Sequence, residues 1–137
     1  MSRTTSAQTT QSSAVAAFFD RYATALSRID LDTLAACYHY PALAVTRLGC
    51  QVITDPEATR QFFAANGRRY HDRGIMAVRI VNLRPSYAED GLWVGLADLE
   101  NLAADGTVVG VEHNAYQLVH SDRDGWRIAV TTPLDAR

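Results

Sequence analysis

Two kinds of periodicity divide this chain, and where each falls constrains the fold more than any other feature. Residues 75–87, 92–103, 108–121 and 126–132 are four long runs rich in β-branched and aromatic residues. Glu89-Asp90-Gly91, Asp105-Gly106 and Asp122-Arg123-Asp124-Gly125 separate them. Gly and Asp at those points supply the backbone conformations that tight turns require. Before Ile75 the apolar residues recur at helical steps instead. Helices gathered at the start and strands at the end make an α+β domain, not an alternating α/β one.

In the first half, Val15, Phe18, Phe19, Tyr22, Leu26 and Ile29 step by three and four, the stripe of an amphipathic helix. Ser12 or Ser13 can cap it by accepting from a free backbone N–H. Asp30 begins a second, shorter helix through Leu31, Leu34, Ala35 and Tyr38. Pro41 ends it, since the residue before a proline avoids helical geometry. Two short β-runs, 42–47 and 50–54, flank a Leu48-Gly49 turn. Asp55-Pro56-Glu57 combines a cap, a first-turn proline and an acid at the positive helix end. The helix it starts carries Phe62, Phe63 and Tyr70 and should stop near Gly74, with Gly67 an unfavourable interior residue. Residues 1–12, rich in Ser, Thr and Gln, are expected to form a disordered tail. Residues 13–137 then make a single domain.

A length of 137 residues suits one core. The net charge of −2 offers no field for a phosphate backbone, which excludes general nucleic-acid binding. All 13 basic residues are Arg, so lysine Schiff-base chemistry is excluded. Cys37 and Cys50 lie in apolar contexts without CxxC spacing and read as buried, reduced thiols. The chain has no apolar leader and no run of membrane-spanning length, so a cytoplasmic protein without membrane contact is expected. Its four histidines lack HxxxH or HxH spacing, so no metal site is expected. GxSxG, P-loop and GxGxxG patterns are absent, and no cofactor is expected.

Two local patterns carry a family resemblance. One is Phe19-Asp20-Arg21-Tyr22-Ala23-Thr24-Ala25-Leu26 followed by Ile29-Asp30-Leu31-Asp32-Thr33-Leu34; the other is Asp124-Gly125-Trp126-Arg127-Ile128-Ala129-Val130-Thr131-Thr132. With the order of elements, they resemble the nuclear transport factor 2-like superfamily, which includes ketosteroid isomerases, polyketide cyclases and scytalone dehydratases. The resemblance covers about residues 13–134. It implies a cone-shaped (cystatin-like) roll, three N-terminal helices packed on a curved antiparallel sheet. It also implies an apolar pocket and a dimer formed through the sheet. Tyr22 matches the isomerases' oxyanion-donating tyrosine. Thr46 falls where their general-base aspartate lies, and threonine lacks basicity near neutral pH. Their second acid falls near His113. This departure from the pattern argues against steroid isomerisation by the family mechanism.

If Asp105-Gly106 forms the hairpin loop, Glu100 faces Val111, Asp98 faces His113, Leu96 faces Ala115 and Val94 faces Gln117, all on one face of the sheet. The opposite face carries Trp93, Leu99, Tyr116 and Leu118, with Asn101, Glu112 and Asn114 toward the hairpin end. Both faces are partly apolar, and one sheet has only one side for its own helices. The Asp98/His113 face is expected to line the pocket, and the Trp93/Tyr116 face to meet a second subunit. A bulge in the hairpin would reverse this for one strand.

The expected site follows. Asp98 beside His113 forms a candidate acid–base pair, because a carboxylate fixes the imidazole tautomer and raises its pKa. A register-setting ion pair without chemistry explains the same residues. Tyr22 can donate a phenolic hydrogen bond or serve as a core aromatic. Phe18, Tyr40, Thr46, Phe63, Val94, Leu96, Glu100 and Gln117 are candidate ligand contacts. The expected partner is a small hydrophobic molecule. Catalysis would be cofactor-free isomerisation, cyclisation or dehydration; the rival is a non-catalytic binding or dimeric interaction domain.

Overall fold

The computed structural model describes residues 2–134, with side chains described from Gln11 onward. The domain ends expected at Met1 and at residues 135–137 lie outside the described residues. Three helices, α1 (Ser2–Arg28), α2 (Leu31–Ala36) and α3 (Pro56–Asp72), accompany six strands. The strands are β1 (Tyr38–Thr46), β2 (Gly49–Ile53), β3 (Ala77–Glu89), β4 (Leu92–Leu102), β5 (Val108–Ser121) and β6 (Gly125–Pro133). They form one sheet in the order β2-β1-β6-β5-β4-β3. The architecture is α+β, as expected. The sheet is not wholly antiparallel, because β1 pairs with β6 in parallel.

The α1 stripe is buried as its spacing implies: Val15, Phe18, Phe19, Tyr22 and Ala25 all belong to the core. Helical backbone extends to Ser2, through the segment expected to be a tail. Extending an existing helix fixes one residue per hydrogen bond gained, so a polar segment can continue what an amphipathic one nucleates. Gln11 ties this end to the sheet: its Nε2 donates to the Leu92 carbonyl at 3.2 Å, and its Oε1 accepts from Gly91 N.

Asp30 and Asp55 cap their helices as expected, accepting from the backbone N–H of Thr33 and Ala58. However, α2 ends at Ala36, before Tyr38. Tyr38 opens β1 instead, opposite Ile128, and Ile128 N donates to the Cys37 carbonyl at 2.8 Å. That placement carries the Tyr38 ring into the core. Cys37 is buried and Cys50 exposed; both are free thiols, so only one of the two expected burials is observed.

Gly67 has a packing reason inside α3. A Cβ there would lie 2.8 Å from Ile29 Cδ1, at the C-terminal end of α1. Gly95 is similarly required: a Cβ would lie 2.6 Å from the Arg84 carbonyl oxygen and 2.8 Å from the Trp93 ring. At Gly67 and Gly95 alike, glycine allows neighbouring elements to approach closely.

Candidate functional site

The inner face of the sheet is the one that α1 and α3 cover. Trp93, Ala97, Tyr116 and Leu118 project there and join Phe19, Tyr22 and Phe63 in one core. Phe19 meets Trp93 and Tyr116 edge-on, with ring centroids 5.4 and 5.3 Å apart. The expected assignment of faces is therefore reversed. Strand alternation places Asp98, His113, Val94, Leu96, Glu100 and Gln117 on the outer face. A bulge in the hairpin is not the cause. Asp98 does pair with His113, and the register shift lies at the hairpin end between Asn101 and Leu102. The physical reason is bulk, since the face with the larger rings removes more apolar area from water when the helices cover it.

On that outer face the Asp98 carboxylate is buried, 5 % exposed, beneath polar neighbours. Its Oδ1 lies 2.6 Å from His113 Nδ1 and accepts from Arg84 at 3.0 Å, while Oδ2 accepts from Asn82 at 3.0 Å. The His113 hydrogen bond, then those of Asn82 and the Arg84 charge, hold the Asp98 carboxyl below its ordinary pKa. Glu100 accepts two hydrogen bonds from Arg79. The backbone of the sheet separates all these groups from the space under the helices.

A cleft of about 100 Å³ does open on the inner face, between α3 and the β1–β2 hairpin. Its walls include Tyr38, Ala44, Ile53, Thr59, Phe63 and Thr131. Of the expected ligand contacts, Phe63 lines this cleft. Tyr40 stands behind Thr59, donating to the Ala35 carbonyl at 2.8 Å and accepting from Thr59 at 2.7 Å. Thr46 is elsewhere, accepting from Leu48 N in the hairpin turn. Phe18 packs within the core, its ring centroid 6.2 Å from that of Tyr22.

Tyr22 is fully enclosed, and its hydroxyl meets that of Tyr38 at 2.7 Å. Tyr38 in turn borders the cleft. Burial, followed by the neighbouring phenols of Tyr38 and Tyr116, raises the Tyr22 pKa well above its ordinary value. Burial likewise raises that of Tyr38. Near neutral pH both are protonated phenols, able to donate a hydrogen bond but not to act as bases. The described cleft walls contribute hydroxyls and the Gln51 amide, with no carboxylate or imidazole among them.

Elsewhere on the inner face, the Asn101, Glu112 and Asn114 expected on the Trp93/Tyr116 side do share it, and Tyr70 of α3 joins them, a contact the sequence does not signal. Glu112 Oε2 accepts from the Tyr70 hydroxyl and, at 2.9 Å, from Asn101 Nδ2. Nearby, Asn114 Nδ2 donates to the Tyr116 hydroxyl at 3.1 Å. The i, i+2, i+4 spacing of Glu112, Asn114 and Tyr116 places three polar tips on one side of β5, whereas Tyr70 is 42 positions from Glu112 and no local spacing points to it. Among the described residues no group of three or more His, Cys, Asp and Glu could hold a metal. No described helix is long and apolar enough to cross a membrane.

Residues 11–136 match the family model described as NTF2-like protein (DUF6841). The chain belongs to this NTF2-like family. Solved structures agree on the fold. An NTF2-like protein with a cystatin-like fold from Novosphingobium aromaticivorans superposes with a TM-score of 0.69 at 14 % identity, over 93 % of this chain and 84 % of that one. A protein of unknown function with a cystatin-like fold from Nostoc punctiforme gives 0.66 at 14 %, over 87 % and 86 %. The Kfla4162 protein from Kribbella flavida gives 0.65 at 15 %, over 90 % and 89 %. At such identities the likeness concerns the NTF2-like fold alone. Comparison with curated proteins found no match.

Proposed function

We propose that this NTF2-like protein binds a small, mainly apolar molecule in the cleft between α3 and the β1–β2 hairpin. The cleft carries the reading: its walls are largely aliphatic and aromatic, with hydroxyl groups at Tyr38, Thr59 and Thr131. Apolar walls supply affinity, and a few fixed polar groups orient the ligand. Binding is favoured over proton transfer, because the cleft phenol of Tyr38 is held protonated and Asp98 and His113 lie across the sheet. A volume of about 100 Å³ suits a single-ring molecule. Titration with phenol and toluene, followed by thermal unfolding, tests the reading. Saturating ligand should raise the melting temperature, and Phe62→Ser, at the cleft edge, should weaken binding several-fold. No shift with either compound up to its solubility limit would refute it.

The outer face supports a second part of the proposal, a homodimer through the sheet. Val94, Leu96, Ala115 and the exposed Tyr87 and Val111 form apolar surface around Asp98, His113, Arg84, Glu100 and Arg79. Both signs of charge occur there, so a two-fold axis can set acids of one copy against bases of the other. Asp98/His113 then serves register and interface rather than chemistry.

A further inference from the structure

The Tyr70–Asn101–Glu112 cluster contains an unmet polar atom. Asn101 is 5 % exposed, and its Nδ2 is committed to Glu112. Its Oδ1 is buried without a hydrogen-bond partner among the described residues. Nearly all buried carbonyl oxygens in folded proteins meet a donor, so this one points to a group that supplies it.

The surrounding chemistry narrows what that group is. Tyr70 and Asn101 both donate to Oε2 of Glu112, which leaves its second carboxylate oxygen as a further acceptor. No described ion pair compensates the Glu112 charge. A half-buried carboxylate whose hydrogen-bond partners, Tyr70 and Asn101, are both neutral favours a cation. Two acceptor oxygens are too few for a metal but suit an ammonium group, which carries several N–H donors and the compensating charge. Hydrogen bonds from Tyr70 and Asn101 fix the carboxylate in position before any ligand arrives, which reduces the ordering cost of binding. Tyr70 comes from α3, Asn101 from β4 and Glu112 from β5. The site therefore exists only when helix and sheet are docked.

We propose that Glu112 and Asn101, positioned with Tyr70, bind the ammonium head of a small primary amine. The proposal is independent of the apolar cleft, though both lie on the inner face.

The test compares benzylamine, protonated at pH 7, with benzyl alcohol and toluene, followed by NMR of the full chain. Benzylamine should bind at least tenfold more tightly than benzyl alcohol and move the Asn101 side-chain amide signal. Glu112→Gln should abolish that preference while leaving the affinity for toluene unchanged. The proposal is overturned if benzylamine has no advantage in the wild-type protein, or if its advantage survives in Glu112→Gln. It is equally overturned if the Asn101 amide signal is unmoved at saturation, which would indicate a structural water only. Should Glu112→Gln fail to fold, the wild-type preference and the Asn101 signal decide the matter. Toluene failing to bind while benzylamine satisfies these criteria would count against the cleft reading alone.

Discussion

Replacing Gly67 by alanine sets two effects of similar size against each other. In a helix interior alanine is favoured over glycine by roughly 0.8–1.0 kcal/mol. Here, however, the added methyl would lie 2.8 Å from Cδ1 and 3.0 Å from Cγ1 and Cγ2 of Ile29. Overpacking of this kind costs about 1–3 kcal/mol. Gly67→Ala should therefore be neutral or destabilise by up to about 2 kcal/mol, against the expectation from propensity alone. In an Ile29→Ala background the obstacle is gone, and the same substitution should stabilise by about 1 kcal/mol. The consequence reaches the cleft, since α3 also carries Thr59 and Phe63. Urea unfolding of the four proteins, monitored by circular dichroism, gives the coupling energy. If Gly67→Ala changes stability equally in both backgrounds, within about 0.5 kcal/mol, the packing argument is wrong.

Three further outcomes are expected. Tyr22→Phe and Tyr38→Phe each leave the other hydroxyl buried without its partner, so each should cost about 1–3 kcal/mol, and the double variant less than the sum; strict additivity in urea melts would contradict this. Asp98 has a lowered carboxyl pKa, so the unfolded chain takes up that proton more readily and Asp98 stabilises the fold above the ordinary value of about 3.9. That contribution is lost as pH falls through the folded-state value, so the stability gap between wild type and Asp98→Asn should narrow below about pH 4; a gap unchanged from pH 6 to pH 2 would refute it. Finally, the proposed dimer through the outer face predicts a light-scattering mass of two chains for the wild type and of one for Leu96→Arg, with an unaltered far-ultraviolet spectrum; a monomeric wild type, or a dimer that survives Leu96→Arg, would refute it.

Much of this molecule follows from local patterns. The α1 stripe, the Asp30 and Asp55 caps and the Asp105-Gly106 turn depend on residues a few positions apart, where backbone preferences act directly. The Asp98–His113 pairing read from that turn is observed, although the register shifts between Asn101 and Leu102, where Leu102 meets Val108. Tyr38 was misplaced because its helical spacing competed with a distant partner, Ile128 on β6, whose pairing no local window contains. The parallel contact between β1 and β6 was invisible for the same reason.

Alternation along a strand specifies which residues share a face, but not which face the helices cover. That choice arose when the α1 aromatics met Trp93 and Tyr116, burying the larger rings and turning Asp98 and His113 outward. The same docking brought Tyr70 to Glu112, 42 positions away, and created the cleft beside Phe63. Helix and strand formation are governed by neighbours in sequence, whereas a site is made by neighbours in space, and only packing brings those together.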